Sequence, residues 1–255
     1  MAVSAVISVM MRGTAIVFLL AFGTPAFAEN VPLPRTRPVI EEPKVAQIHE
    51  LSPIPSDCQI RLADKADIER RPTIVGPGVC GGHDMVRISA VRLGDGSKVA
   101  INPPADLRCP MAQAVADFVR DTVVPSFAPL RVTTVENFDA YSCRGRNRIF
   151  GAKISEHGKG NAIDIRAFRL AGGASVEPTD PKAPRDLRER LKREACARFK
   201  TVLGPGSDGF HEGHVHLDLA ERRRGMSMCQ WEVRDPPPPT VVAQVPLPPP
   251  RPLQP

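Results

Sequence analysis

Two short stretches of this 255-residue chain constrain its fold most, because their side chains can act together only if the fold brings them side by side. Residues 155–164 read Ser-Glu-His-Gly-Lys-Gly-Asn-Ala-Ile-Asp, and residues 211–218 read His-Glu-Gly-His-Val-His-Leu-Asp. Together they contain four of the six histidines. Two histidines and one carboxylate can bind zinc and leave a fourth position open. We therefore expect His157, Asp164 and His216 to be the ligands of a Zn²⁺ cofactor.

Both stretches are expected to run into strands. Residues 210–220 alternate polar and apolar side chains, which places His214, His216 and Asp218 on one face of an extended chain. Residues 162–168 alternate in the same way. Burying histidines beside a carboxylate is costly unless they have a role. The polar faces are therefore expected to line a cleft, and the apolar faces to form a core.

The remaining pattern predicts an α+β fold, with a central, mostly antiparallel sheet that carries the metal ligands and helices packed beside it. Further strands are expected at residues 73–79, 85–93, 98–101 and 130–135. Helices are expected at residues 63–69, 110–124 and 185–203. The helix at 110–124 would begin at a proline, whose missing N–H costs nothing there, and end at Pro125.

Both ends of the chain are expected to lie outside this domain. Residues 1–28 combine a basic residue, an apolar run and an Ala-Phe-Ala site, which predicts a cleaved secretory signal peptide. The apolar run is too short to cross a bilayer comfortably. We therefore expect no integral membrane segment after cleavage, and export to the periplasm or cell envelope. Residues 29–56 and 235–255 are rich in proline and are predicted to be disordered spacers, with docking to a proline-binding partner as the alternative. Residues 57–234 remain as the folded domain.

The charge of the chain argues against nucleic-acid binding. The net charge is +6, but the basic residues are scattered and only 5% of the residues are aromatic. Nucleic-acid binders usually cluster their basic residues, and many interleave them with aromatic side chains for stacking. We interpret the charge as a basic surface that faces an anionic envelope.

Six cysteines are expected to form three disulfides, because the predicted compartment is oxidising and no Cys-x-x-Cys pair indicates a metal or redox site. Sequence alone does not choose among the 15 pairings that six cysteines allow. Pairing neighbours in order gives the hypothesis Cys58–Cys80, Cys109–Cys143 and Cys196–Cys229.

The two stretches resemble known families. The pattern Ser-x-His-x-x-Gly-x-Ala-x-Asp at 155–164 resembles the first signature of zinc D-Ala-D-Ala carboxypeptidases and dipeptidases. The His214-x-His216 ending, with His211 upstream, resembles that of murein endopeptidases, which share a fold with lysostaphin-type peptidases. The whole of residues 58–231 is similar to the bacterial extensin-like C-terminal domain family.

This resemblance implies roles for individual residues. It implies the same three zinc ligands, with His214 beside the reacting water or oxyanion. Carboxypeptidases carry a general-base glutamate three residues before the last ligand, but Gly213 occupies that position here. The candidates for the base are then His214 first, with His211 and Glu212 as alternatives.

Two residues are expected to contact substrate. Arg144 lies where the related peptidases carry a basic residue, and the resemblance implies that it binds a substrate carboxylate, with a surface or structural arginine as the alternative. Ser155 would form a hydrogen bond at the edge of the site, with a capping role as the alternative. The function implied is a zinc-dependent hydrolase of peptidoglycan peptide bonds, of D,D-carboxypeptidase or endopeptidase type. The alternative is a non-catalytic envelope protein that binds cell-wall peptides through the same domain.

Overall fold

A computed structural model describes residues 47, 48 and 50–237 of the chain. The strands are β1 (Gln47–Ile48), β2 (Ala66–Arg71), β3 (Ile74–Val75), β4 (Gly81–Gly82), β5 (Met85–Arg92), β6 (Lys98–Arg108), β7 (Val132–Asp139), β8 (Ala162–Leu170), β9 (Ser175–Val176), β10 (Thr201–Leu203), β11 (Val215–Asp218) and β12 (Met228–Gln230). The helices are α1 (Asp57–Ala63), α2 (Cys109–Phe118), α3 (Val124–Phe127) and α4 (Arg185–Arg198). The predicted signal peptide, most of the first proline-rich segment and residues 238–255 lie outside the described residues. Within the described part of the chain, no helix is long and apolar enough to cross a membrane.

A nine-stranded sheet organises the domain. Its order is β12-β10-β11-β8-β7-β6-β5-β2, and β9 pairs with β8. Only the β10–β12 and β6–β7 pairs are parallel. The predicted α+β class with a mostly antiparallel sheet is therefore confirmed. A small second sheet joins β1, β3 and β4.

The helices cover one face of the large sheet. Phe118 of α2 and Phe199, just after α4, meet edge to face with ring centroids 5.6 Å apart. They join the same buried cluster as Ile163 and Ile165 of β8 and Leu217 of β11. The apolar face of β8 and β11 is thus buried under helices, which leaves their polar face for the site.

The prediction of a helix at 63–69 is wrong. Helix α1 ends at Ala63, and β2 follows directly. The helix begins instead at a capping box, in which Ser56 accepts from the backbone N–H of Gln59 and Gln59 reaches back to the N–H of Ser56. This start signal is readable in the sequence as Ser-x-x-Gln.

The other two helices also differ from their predicted lengths. The expected helix at 185–203 ends at Arg198, because β-branched Thr201 and Val202 pair with β11 instead. Helix α2 does not end at Pro125. A π-helical turn at Val119–Val123 shifts the hydrogen-bond register and places Pro125 in the first turn of α3, where its missing N–H costs little.

Two predicted strands are shorter or less regular than expected. The strand expected at 210–220 is β11 alone, four residues long. In β8 the strict alternation breaks at Arg166, which has no partner in β7 because Glu136 pairs with Ala167 and Asn137 with Ile165. A second shift, between Asn137 and Asp139 of β7, lies beside Asp164, but the pairing of residues 162–165 with β11 is regular.

The disulfides are Cys58–Cys109, Cys80–Cys143 and Cys196–Cys229. The third predicted pair is confirmed, and the pairs Cys58–Cys80 and Cys109–Cys143 are wrong. Spatial order differs from chain order here, because α1 packs on α2 and so brings Cys58 to the start of α2. Cys80 is then left for Cys143, on the loop that leads into the first histidine stretch.

Candidate metal centre

A single 3₁₀ turn, Glu156–Lys159, places the first histidine. Ser155 caps this turn, because its hydroxyl accepts from the backbone N–H of His157 at 3.4 Å. Gly160 ends it in the left-handed conformation (φ 62°), and a Cβ there would lie 2.8 Å from the Cε of Met85. A glycine at this position therefore satisfies both the backbone and the packing behind it.

The second and third candidate ligands lie side by side on neighbouring strands. Asp164 of β8 and His216 of β11 are directly paired in the antiparallel ladder. The Nε2 atom of His157 lies 3.1 Å from Oδ1 of Asp164 and 3.1 Å from Nδ1 of His216. That Nδ1 lies 2.8 Å from the same carboxylate oxygen. Three donor atoms from a loop and two strands thus converge at one buried point.

A second set of hydrogen bonds fixes which ring nitrogens face this point. Nδ1 of His157 lies 2.6 Å from the carbonyl oxygen of Ala140, an acceptor, so it carries the proton and donates it. Nε2 of His216 likewise donates to Oδ2 of Asp218 at 3.1 Å. When both imidazoles are neutral, the two inward nitrogens therefore present lone pairs, as metal-bound histidines do.

These residues fit a metal ion. Three lone-pair atoms within 3.1 Å of one another repel unless a cation lies between them. Ligand atoms at about 2.0–2.1 Å from a tetrahedral divalent ion such as zinc lie roughly 3.3 Å apart, close to the spacing here. Within the part of the chain described, this is the one group of potential ligands that contains no disulfide-bonded cysteine.

The electrostatics agree with a cation at this point. Burial alone would raise the pKa of Asp164, but its close contacts with the imidazoles of His157 and His216 outweigh burial and hold that pKa far below its usual range. Burial opposes charge on His216, yet Asp164 and Asp218 raise its pKa to about 9. In the metal-free protein, a proton on His216 thus takes the place of the cation.

His214 and His211 lie beside the three ligands. Nε2 of His214 is 3.4 Å from the second oxygen of Asp164. Burial, the largest influence, lowers the pKa of His214, and this keeps its imidazole neutral near pH 7. Nδ1 of His211 lies 2.6 Å from Oδ1 of Asp208, and its ring packs against His214 with centroids 5.1 Å apart.

Glu212, the third candidate base, lies on the outer surface. One of its carboxylate oxygens accepts from the backbone N–H of Gly206 at 2.9 Å, and the other lies 2.7 Å from Nη1 of Arg234. It does not line the cleft described below. The carboxylate is thus held away from the ligands.

A cleft of about 540 Å³ opens over the three candidate ligands. Both residues expected to contact substrate, Arg144 and Ser155, line it. The guanidinium of Arg144 is already engaged, with Nη2 and Nε 2.7 Å and 3.3 Å from Oδ2 of Asp139. Ser155 is buried and acts as the cap described above.

Sequence reasoning missed several parts of this site. Asp208 holds His211 and also accepts from the side chain of Asn147 at 3.1 Å, which ties two loops together. Its position three residues before His211 was a readable but weak signal. The carbonyl of Ala140 has no signal in the sequence, since every residue carries one. Asp139 could not be matched to Arg144 without the structure.

Comparison with known proteins gives one result. A family model described as Extensin-like protein C-terminus matches residues 56–230, a span that contains all the candidate ligands. Searches of the curated proteins and of the solved structures gave no match.

Proposed function

The chain belongs to the extensin-like protein C-terminus family, and on that premise we propose that its domain is a zinc-dependent hydrolase of peptidoglycan peptide bonds in the cell envelope. The observation that supports this most directly is the convergence of His157 Nε2, Asp164 Oδ1 and His216 Nδ1 at the floor of an open cleft. Two histidines and one carboxylate form a common catalytic zinc set, which keeps a position free.

The metal supplies Lewis-acid chemistry, since zinc held at an open site activates water near neutral pH and polarises a carbonyl oxygen. The chain's own residues hold the ligand atoms in place for the metal. Ala140 and Asp218 fix the inward nitrogens of the two histidines, and Asp164 supplies negative charge from the opposite strand. The ligands therefore need little rearrangement on binding.

His214 is the residue we assign to proton transfer. It lines the cleft, its imidazole is half-buried, and its lowered pKa leaves a nitrogen free to accept a proton near pH 7. It would take a proton from the attacking water and return it to the amine released when the amide C–N bond breaks. His211, held by Asp208, packs against the ring and limits its movement.

The choice of peptidoglycan peptides rests on resemblance and on compartment. The motifs at 155–164 and 214–216 resemble those of zinc D-Ala-D-Ala carboxypeptidases and murein endopeptidases. Three disulfides are typical of proteins in oxidising compartments, where the cell wall lies. We propose that residues 1–28 direct export to that compartment.

Gly213 favours a second candidate function, a non-catalytic protein that binds cell-wall peptides. This glycine stands where the carboxypeptidases carry their general-base glutamate, and the neighbouring Glu212 is bonded to Arg234 on the outer surface. A protein of this kind would bind the cell-wall peptide in the cleft without cutting it.

One experiment separates the two functions. The purified chain is loaded with zinc, its metal content is measured, and it is incubated with muropeptides whose products are read by mass spectrometry. Hydrolysis with about one zinc per chain, lost together with the metal in His216→Ala but kept in the exposed His83→Ala, supports the hydrolase. Zinc binding and muropeptide binding without product support the alternative. A well-folded protein that binds no zinc overturns the ligand set.

A further inference from the structure

Two arginines, Arg146 and Arg148, line the cleft from the loop that precedes the first ligand. We propose that these two side chains bind a free carboxylate of the peptide in the cleft, and so select acidic over amidated peptides. The inference rests on the proposed function for the identity of the ligand as a peptide. It assigns the carboxylate site to residues that the sequence patterns did not single out.

Arg144 is excluded from this role by its own contacts. Its guanidinium and the carboxylate of Asp139 are 17% and 19% exposed and lie 2.7 Å apart. A substrate carboxylate would have to displace a largely buried partner, and separating a buried pair is costly. Arg144 therefore holds β7 to the loop that leads to His157.

Arg146 and Arg148 keep their charges available. The side chain of Arg148 is 72% exposed, and its nearest carboxylate, on Asp139, is 3.9 Å away and already bonded to Arg144. Arg146 is exposed and makes no ion pair with any of the described residues. A guanidinium presents N–H groups in a planar fork that matches the two oxygens of a carboxylate.

The backbone of this loop is held in a conformation that side chains rarely adopt. Asn147 and Arg148 both have left-handed φ angles, 53° and 58°. Such positions persist where the surroundings enforce them, and they cluster at functional sites. Here the enforcing contacts are the bond from Nδ2 of Asn147 to Oδ2 of Asp208 and the backbone bond from Arg146 to the carbonyl of Lys153. The loop is thus fixed to the loop between β10 and β11, which carries His211.

Besides Arg144, the lining contains one more arginine, Arg222, whose guanidinium donates to the carbonyl of Lys200 and the hydroxyl of Thr201. Among the described residues of the cleft, Arg146 and Arg148 therefore keep their N–H groups available for an anion. Asp164, Asp208 and Asp218 are each within 3.1 Å of a histidine nitrogen. The lining also includes half-exposed Phe138 and Phe210, which suit an apolar side chain of the same peptide. The cleft therefore fits a peptide with both features.

The test compares matched peptides on the zinc-free chain, so that binding is measured without turnover. The probes are one muropeptide with all carboxylates free, the same peptide with a C-terminal amide, and the same peptide with its side-chain carboxylate amidated. Isothermal titration should give about tenfold weaker binding for whichever amide removes the recognised carboxylate. In Arg146→Gln/Arg148→Gln the acid and the amides should bind alike, whereas Arg193→Gln, an exposed arginine on α4, should keep the difference.

The outcomes distinguish failure of this inference from failure of the hydrolase proposal. Equal binding of acid and amides by the unmodified chain, or a preference that survives in the double variant, overturns the inference. If the preference depends on the two arginines and no peptide is cut after zinc loading, the inference stands and the hydrolase proposal fails. A double variant that cuts acid and amide equally well supports both. A melting temperature of the double variant without peptide that equals that of Arg193→Gln shows that the double variant is folded.

Discussion

Nε2 of His216 lies 3.1 Å from a carboxylate oxygen of Asp218, the next residue on the same face of β11. This contact decides which nitrogen of the imidazole is left for the metal. Asp218 itself is secured by the backbone N–H of Ala220 at 2.9 Å. The orientation of one ligand therefore depends on a carboxylate that need never touch the ion.

Asp218→Asn is expected to weaken zinc binding about 10- to 100-fold, because it removes the charge that orients His216 and raises its basicity. Competition with a chromophoric chelator measures the change. Asp186→Asn, at an exposed position in the first turn of α4, serves as the control. An Asp218→Asn protein with unchanged zinc affinity would contradict this role.

Metal affinity should depend steeply on pH. Without metal, His216 has a pKa near 9 and is protonated at neutral pH, but it binds zinc only as neutral imidazole. Affinity should therefore rise about tenfold per pH unit up to about pH 9. Titration calorimetry in two buffers of different ionisation enthalpy should detect about one proton released per zinc at pH 7. Zinc binding without proton release would refute the assignment.

The raised pKa of His216 also predicts how the stability of the metal-free protein depends on pH. A group whose pKa is raised by folding stabilises the folded state while it is protonated in both states, and this stabilisation is lost as pH rises through the folded-state pKa. The contribution of His216 should be fully present below about pH 6.5 and lost by about pH 9. Denaturant unfolding of the metal-free chain across this range should show falling stability, and a flat profile would count against the shift.

His214→Ala is expected to lower hydrolysis about 10²- to 10⁴-fold while zinc stays bound, since the variant removes the proton acceptor but no ligand. Zinc content and turnover are measured on the same sample. His83→Ala, at an exposed position outside the cleft, should change neither. Turnover that survives in His214→Ala would move the role of base to His211.

Gly160→Ala tests whether packing behind the site sets its geometry. The new Cβ would lie 2.8 Å from Met85 at a φ of 62°, so we expect a loss of about 1–3 kcal/mol in unfolding free energy and weaker zinc binding. Gly78→Ala has the same φ but nothing within 4 Å of its Cβ. The difference between the two variants isolates the steric part, and equal losses would show that the backbone alone is responsible.

The sequence predicted that three potential metal ligands would lie together, because residue type and strand alternation are both local signals. The positions of His157, Asp164 and His216 in one group followed from them. Contacts that depend on how distant segments pack could not be predicted. The Asp139–Arg144 pair, the Ala140 carbonyl and the first two disulfides are of this kind, and so is the π-helical turn that carries α2 past Pro125.

Because His216 pairs directly with Asp164, a metal bound by both residues would depend on the register of β8 and β11. Strand β11 has only four residues, and it alone joins β10 and β12 to the rest of the large sheet. A slip by one residue would bring Val215 or Leu217 opposite Asp164 and leave the ion without its third ligand. A metal ion held by residues of β8 and β11 would therefore stabilise this edge of the sheet only when the two strands pair in the correct register.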